Sequence, residues 1–168
     1  MIAVFDTGPL IALAKVDQLP LTKAMFREIV VPEAVHRELL AKVGPESRRL
    51  DVAMQNFIQI RPLKELPQQV RVATMHLDRG EQQAIALACQ EQAVLVIDEQ
   101  LGRAAARALN VRVTGVVGLL ISAKKAGHLS AVLPLLREMR CGGYWFSDDL
   151  IFDAAKLADE SIEDRFDA

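Results

Sequence analysis

Several acidic side chains in this 168-residue chain stand where burial would make them costly. Asp6, in F-D-T-G-P, separates two apolar runs, Met1–Val4 and Leu10–Ala14. Asp98 and Glu99 close the apolar stretch of V-L-V-I-D-E-Q-L-G-R, where an acidic pair is unfavourable unless a cation or hydrogen-bond donor answers it. Glu81 opens G-E-Q-Q-A-I-A-L-A; Ala84, Ile85 and Ala88 follow at helical spacing, so Glu81 lies on the apolar stripe at its N-terminal end. Glu38, in V-P-E-A-V-H-R-E-L-L-A-K, flanks the face marked by Val35, Leu39 and Lys42.

Each acid has a plainer meaning when taken alone. Asp6 or Thr7 would cap a helix starting near Pro9. Glu38 would be an exposed flank residue. Glu81 would gain about 0.3–1 kcal/mol from the helix dipole, with Asp78 as the simple cap before it. Asp98 and Glu99 would cap the helix that follows. Together the acids imply more. Converging carboxylates repel, so some must hold protons or share a cation. An oxygen-only set suits Mg²⁺ or Mn²⁺. His36, His76 and His128 are scattered and make no zinc constellation. No G-x-x-x-x-G-K-[ST], G-x-G-x-x-G or G-x-S-x-G motif is present, which argues against a nucleotide triphosphatase, a dinucleotide enzyme and a serine hydrolase.

The elements that must position these acids alternate. Ile2–Phe5, Ile29–Val31, Phe57–Ile60, Ala93–Ile97 and Val111–Val113 read as strands, short and mostly β-branched. Helices are expected over Leu10–Val16, Pro32–Lys42, Glu46–Asn56, Gly80–Glu91, Gln100–Leu109, Val116–Lys125, Ser130–Met139 and Asp148–Asp159. Continuously apolar strands alternating with helices imply an α/β fold, a parallel sheet of about five strands covered on both faces. Sites in such sheets form beyond the carboxyl ends of the strands, where Asp6, Asp98 and Glu99 fall. With no repeat, low-complexity stretch or linker, residues 1–168 read as one domain with an acidic helix and tail from about residue 147.

The net charge of −2 hides an uneven distribution. Residues 1–146 hold 14 acids and 18 bases, so the body is about +4 and the last segment masks it, unless that segment is only a solvated tail. Arg79, Arg103, Arg107, Lys124 and Lys125 are the bases expected to draw in a phosphate backbone. Arg103 is placed to meet a phosphate or to pair with Glu99 at i+4. Tyr144, Trp145 and Phe146 form the only aromatic cluster, read as a packing plug ahead of a base-stacking platform. No apolar run reaches membrane-spanning length, and none of the features of a signal peptide opens the chain. Cys89 and Cys141 show no metal-ligand spacing, which points to a reducing cytoplasm. The apolar helices Val116–Ile121 and Val132–Leu136 exceed what one sheet needs to cover and suggest a homodimer.

V-F-D-T-G-P-L-I-A-L, V-P-E-A-V-H-R-E-L, L-D-R-G-E-Q-Q-A-I-A-L-A and L-V-I-D-E-Q-L-G-R-A-A-A, in this order, resemble the PIN-domain nucleases. More narrowly the chain looks like a prokaryotic PIN-like subfamily described as predicted nucleic-acid binding and related to VapC-type toxins. The resemblance implies a Mg²⁺- or Mn²⁺-dependent endoribonuclease acting on single-stranded RNA, with a small antitoxin protein as partner and a homodimeric state. Carried over by position, it assigns catalysis to Asp6, Glu38, Glu81, Asp98 and Glu99. Asp6, Glu81, Asp98 and Glu99 would hold metal; Asp6 and Asp98 would be primary ligands, while Glu38 and Glu81 bind a second metal or orient water. Thr7 and Arg103 would face the substrate, Thr7 matching the small hydroxyl residue that follows the first aspartate. Glu81 and Glu99 stand where such nucleases usually carry aspartate, and misplacement of order an ångström can cost about a hundredfold in rate. Two rivals are therefore a PIN-like binding or regulatory module with little turnover, and a metal-dependent phosphatase on a similar sheet.

Overall fold

The computed structural model describes residues 1–162. All five expected strands form: β1 Ile2–Phe5, β2 Glu28–Val31, β3 Ile58–Ile60, β4 Val94–Val96 and β5 Arg112–Thr114. They pair in parallel throughout, in the order β3-β2-β1-β4-β5. Ala3, Val4 and Phe5 of β1 and Leu95 and Val96 of β4 are completely buried. Cover on both faces is why these strands are continuously apolar instead of alternating.

Ten helices join the strands among the described residues: α1 Thr7–Lys15, α2 Leu21–Met25, α3 Glu33–Ala41, α4 Ser47–Asn56, α5 Gln68–Thr74, α6 Arg79–Glu91, α7 Gln100–Ala108, α8 Val116–Lys125, α9 Leu133–Cys141 and α10 Asp148–Ala158. On one side of the sheet α1 packs against α4, α8 and α9, with α10 lying on α8 and α9; on the other, α6 packs on β1 and β4 and carries α5 and α7. Right-handed crossovers from a sheet built outward in both directions require this division. α3 touches both α1 and α6, and so bridges the rim of the sheet.

Proline sets two boundaries away from their expected places. α1 begins at Thr7, not Leu10, because Pro9 fits the first turn, where its missing N–H removes no helical bond. α9 begins at Leu133, not Ser130, again with proline in its first turn, and runs on to Cys141. α2 and α5 were not anticipated; both are too short to show a helical period in the sequence.

The apolar helices that suggested a homodimer are spent within one chain. Val116, Val117, Leu119, Leu120 and Ile121 of α8 are buried, as are Val132, Leu133 and Leu136 at α9. The acidic C-terminal segment is not simply solvated. Glu160 accepts from Lys124 Nζ at 2.7 Å and from the backbone N–H groups of Val132 and Leu133 at 2.6 and 2.9 Å, so it caps the start of α9. Asp148 pairs with Arg140 at 2.8 Å. Glu163, Asp164, Arg165 and Asp167 lie outside the described residues.

Candidate active site

The chain leaves β1 toward β2 and β3 on one side and crosses to β4 and β5 on the other. The crevice beyond the carboxyl ends of β1 and β4 is therefore a topological switch point, where open α/β sheets place their sites. Register brings the expected acids to that crevice. Phe5 pairs with Val96, and the Asp6 N–H donates to the Val96 carbonyl at 3.0 Å. Asp6 and Asp98 thus emerge side by side from neighbouring strands.

Asp6 occupies the N-cap position of α1, yet its side chain makes no capping hydrogen bond. It is buried, and burial pushes its carboxyl up from 3.8 to about 7. The Thr7 backbone N–H pulls the other way, while Glu81, Asp78 and Glu38 add repulsion. Thr7 does not cap either. Its hydroxyl, also buried, donates to Glu38 Oε2 at 2.5 Å. Glu38 is consequently half-buried and turned inward from α3, not the exposed flank residue its local spacing allows.

Glu81 sits in the first turn of α6, with Asp78 as N-cap, and both halves of a capping box form: the Glu81 N–H donates to Asp78 Oδ1 at 2.9 Å and the Asp78 N–H to Glu81 Oε2 at 3.2 Å. Glu81 is nevertheless buried. Burial raises its carboxyl above the usual range against the Asp78 N–H, and the charges of Asp78, Glu99 and Glu38 raise it further.

Asp98 is held at both oxygens. Oδ1 accepts from the Val116 N–H at 2.9 Å, at the start of α8, and Oδ2 from the Tyr144 hydroxyl at 2.5 Å. Burial raises the Asp98 carboxyl despite those two donors and the nearby Arg103 charge, with Glu99 adding repulsion. Glu99 is exposed at the N-cap position of α7 and makes no capping bond. Arg103 forms no ion pair with it among the described residues; its guanidinium donates instead to the Ile97 carbonyl at 3.1 Å, beside Asp98.

Four glycines let these groups approach. A Cβ on Gly80 would stand 2.3 Å from Glu38 Oε1, and one on Gly102 would stand 2.9 Å from Glu81 Oε1. A Cβ on Gly115 would meet Asp98 Oδ1 at 2.4 Å and Arg103 at 2.7 Å, and one on Gly8 would lie 3.3 Å from the Tyr144 hydroxyl. Gly8, Gly80, Gly102, Gly115, Asp78 and Tyr144 are the site residues that the acids alone did not reveal. A signal existed for Gly80 and Gly102, since glycine inside a helix costs about 1 kcal/mol against alanine and needs a reason.

Among the described residues none of Asp6, Glu38, Glu81, Asp98 and Glu99 forms an ion pair with a basic side chain. The site therefore gathers mutually repelling carboxylates, all oxygen donors, Asp6 and Glu81 among them buried, with the Arg103 charge beside Asp98 as the one opposing cation among the described residues and no ion pair formed. That donor chemistry fits a hard divalent ion. Among the described residues no three acidic, histidine or cysteine side chains already stand together as a metal-holding group. The fit is one of donor type and of acids that outnumber the one nearby base, Arg103.

A family model, DUF3368, described as a PIN domain, matches residues 2–160. The chain belongs to this PIN-domain family. No curated protein matches it. The PIN domain is a nuclease-type fold that generally uses divalent metal ions, and the matched span holds every acid of the crevice. Among its described residues no helix is long and apolar enough to cross a membrane.

Proposed function

We propose that this PIN domain is a Mg²⁺- or Mn²⁺-dependent endoribonuclease acting on single-stranded RNA. One observation carries the reading: mutually repelling acids, Asp6 and Glu81 buried and none in an ion pair among the described residues, converge at the switch point of a PIN fold. Asp6, Glu81, Asp98 and Glu99 would hold the ion, which when bound neutralises the scissile phosphate and lowers the pKa of its water.

The chain's own groups then have distinct tasks. Asp6 is buried at a helix start it does not cap, and among the described residues only the neighbouring Thr7 N–H bonds its carboxyl, so it keeps acceptor capacity toward the crevice. The Thr7 hydroxyl orients the Glu38 carboxylate, which faces the crevice from α3 and is placed to orient the attacking water. Arg103, anchored by the Ile97 carbonyl, holds positive charge beside Asp98, where a phosphate oxygen would arrive. Arg79, Arg107 and Lys125 are exposed and would draw the backbone in, whereas Lys124 is engaged by Glu160 and leaves that group. A single strand suits a recessed cluster, because an unstacked backbone can bend to present its phosphate.

The deciding assay is cleavage of a labelled single-stranded RNA and its duplex with Mn²⁺, Mg²⁺ or chelator, for wild type and Asp6→Asn. Metal-dependent cutting of the single strand that Asp6→Asn abolishes supports the proposal; equal rates on both strand states defeat the substrate assignment. The reading as toxin of a toxin–antitoxin pair rests on the VapC-like resemblance. Growth arrest on expression, relieved by Asp6→Asn, would support it, and unimpaired growth would count against it.

A second reading, a binding module with little turnover, is favoured by one feature: Glu81 spends one oxygen on the α6 capping box. RNA retention without cleavage at any metal concentration would select it.

A further inference from the structure

Tyr144 is the chain's sole tyrosine, and it comes from the segment between α9 and α10, far in sequence from every acid of the site. Its placement is fixed from several sides. The Tyr144 N–H donates to the Met139 carbonyl at 2.9 Å as the chain leaves α9. Its ring packs on Phe146, centroids 5.2 Å apart, and Phe146 is buried in the core. Its hydroxyl lies against Gly8, where any side chain would crowd it at 3.3 Å. From that position it donates to Asp98 Oδ2 at 2.5 Å, within the range of a short bond to a charged oxygen.

Asp98 therefore has one donor on each oxygen, Val116 N–H on Oδ1 and Tyr144 on Oδ2. A carboxylate oxygen has two lone-pair directions, so one remains on each for a ligand. The two donors stop the carboxylate rotating and fix which way those lone pairs point. We infer that Tyr144 is a positioning residue for Asp98, and that through it the segment after α9 sets the affinity of the acidic crevice for a divalent cation. This rests on the metal-dependent reading above. Partners that hydrogen-bond a metal-ligating carboxylate typically change metal affinity about tenfold to a hundredfold when removed.

Two measurements on the full chain test it. Calorimetric titration with Mn²⁺ compares wild type with Tyr144→Phe, which keeps the ring and its contact with Phe146 and removes only the hydroxyl. The expected result is a Kd raised about tenfold or more, with the melting temperature of the metal-free protein moved by no more than about 2 °C. A purely structural role would do the reverse. The second measurement needs no variant: with tyrosine ¹³C-labelled at the ring carbon bearing oxygen, wild type gives one resonance, which should shift saturably with Mg²⁺. An unchanged Mn²⁺ Kd in Tyr144→Phe, or a Tyr144 resonance unmoved at Mg²⁺ saturation, overturns the inference while wild-type binding keeps the metal reading intact. Wild type that binds neither ion overturns both.

Discussion

The raised Asp6 carboxyl makes the metal-free protein lose stability as pH rises, opposite to the usual behaviour of a carboxylate. In the unfolded chain Asp6 titrates near 3.8 and in the folded protein near 7. Between those values the folded state holds a proton that the unfolded state has released, so stability falls with pH. The contribution is fully present below 3.8 and gone above about 7. Roughly three units, at 1.36 kcal/mol each, is on the order of 4 kcal/mol. Glu81 and Asp98, both raised by burial, act in the same direction. Two acids act oppositely but in a lower window. Glu28, bonded to Arg61 and Arg27, and Glu160, where burial is outweighed by Lys124 and the Leu133 and Val132 N–H groups, lose their contribution only as pH falls below 4.5. Thermal unfolding in chelator between pH 5 and pH 8 therefore isolates the crevice. Between pH 5 and pH 8 only the part from 5 to about 7 is crossed, roughly two units or about 2.7 kcal/mol. At about 2–4 °C per kcal/mol for a domain of this size, the Asp6 contribution alone should lower the wild-type melting temperature by roughly 5–10 °C across that range. Asp6→Asn should remove most of the slope and melt higher than wild type at pH 8. A wild-type melting temperature that rises from pH 5 to pH 8, or a slope unchanged by Asp6→Asn, would refute the reasoning.

Millimolar Mn²⁺ should raise the wild-type melting temperature at pH 8 by several degrees and much less at pH 5, because the ion competes with the Asp6 proton; Asp98→Asn should reduce the rise, and a shift equal at both pH values would contradict it. Gly115→Ala should push the Asp98 carboxylate aside, since the new methyl meets Asp98 Oδ1 and the end of Arg103; disturbing the Val116 and Tyr144 bonds that hold the carboxylate should cost about 1–3 kcal/mol while the Mn²⁺ response is lost, as checked by melting with and without metal. Trp145 is the only tryptophan and is 78% exposed, next to buried Phe146, so its emission should be quenched by single-stranded oligonucleotide and little by duplex; Trp145→Ala should weaken single-strand binding by about 1–3 kcal/mol, and an unchanged Kd would return Trp145 to ordinary surface. Ile85→Ala, in the fully buried face of α6, should cost about 2–5 kcal/mol in denaturant unfolding; a loss under 1 kcal/mol would show that α6 is not held by this packing.

The sheet was legible because its signal is local. Runs such as A-V-L-V-I are buried on both faces, so every residue in them reports the same environment. The acids at the strand ends were legible for the same reason: Asp6 and Asp98 interrupt apolar runs, and an interruption can be seen without knowing what lies across the crevice. Glu38 was harder. Its spacing on α3 describes only a flank, and what turns it inward is the Thr7 hydroxyl, 31 positions away. Tyr144 gave still less. Three aromatics in a row suggested a plug, and Phe146 serves as one, but the chain points Trp145 outward and sends Tyr144 to Asp98, 46 positions away. Contacts over such separations depend on the register of the sheet and on α1 meeting α9, which no window of sequence contains.

The glutamate at position 81, where related nucleases usually carry aspartate, has a geometric account in this crevice. One oxygen reaches back to the Asp78 N–H and closes the capping box. The other leans toward α7, close enough to Gly102 that a single methyl there would stand 2.9 Å from it. A capping box requires the length of Glu or Gln at this position. The additional methylene thus lets one side chain close the end of α6 and still present an oxygen across the crevice, on condition that α7 carries glycine where it passes. Position 99 offers no such account: Glu99 is exposed, makes no cap, and acts on the cluster through its charge, which raises the Glu81 and Asp98 carboxyls and the Tyr144 hydroxyl. The two departures from aspartate are therefore unequal. The one at position 81 is built into the fold by Asp78 and Gly102, whereas the one at position 99 leaves an exposed, uncapped carboxylate at the start of α7.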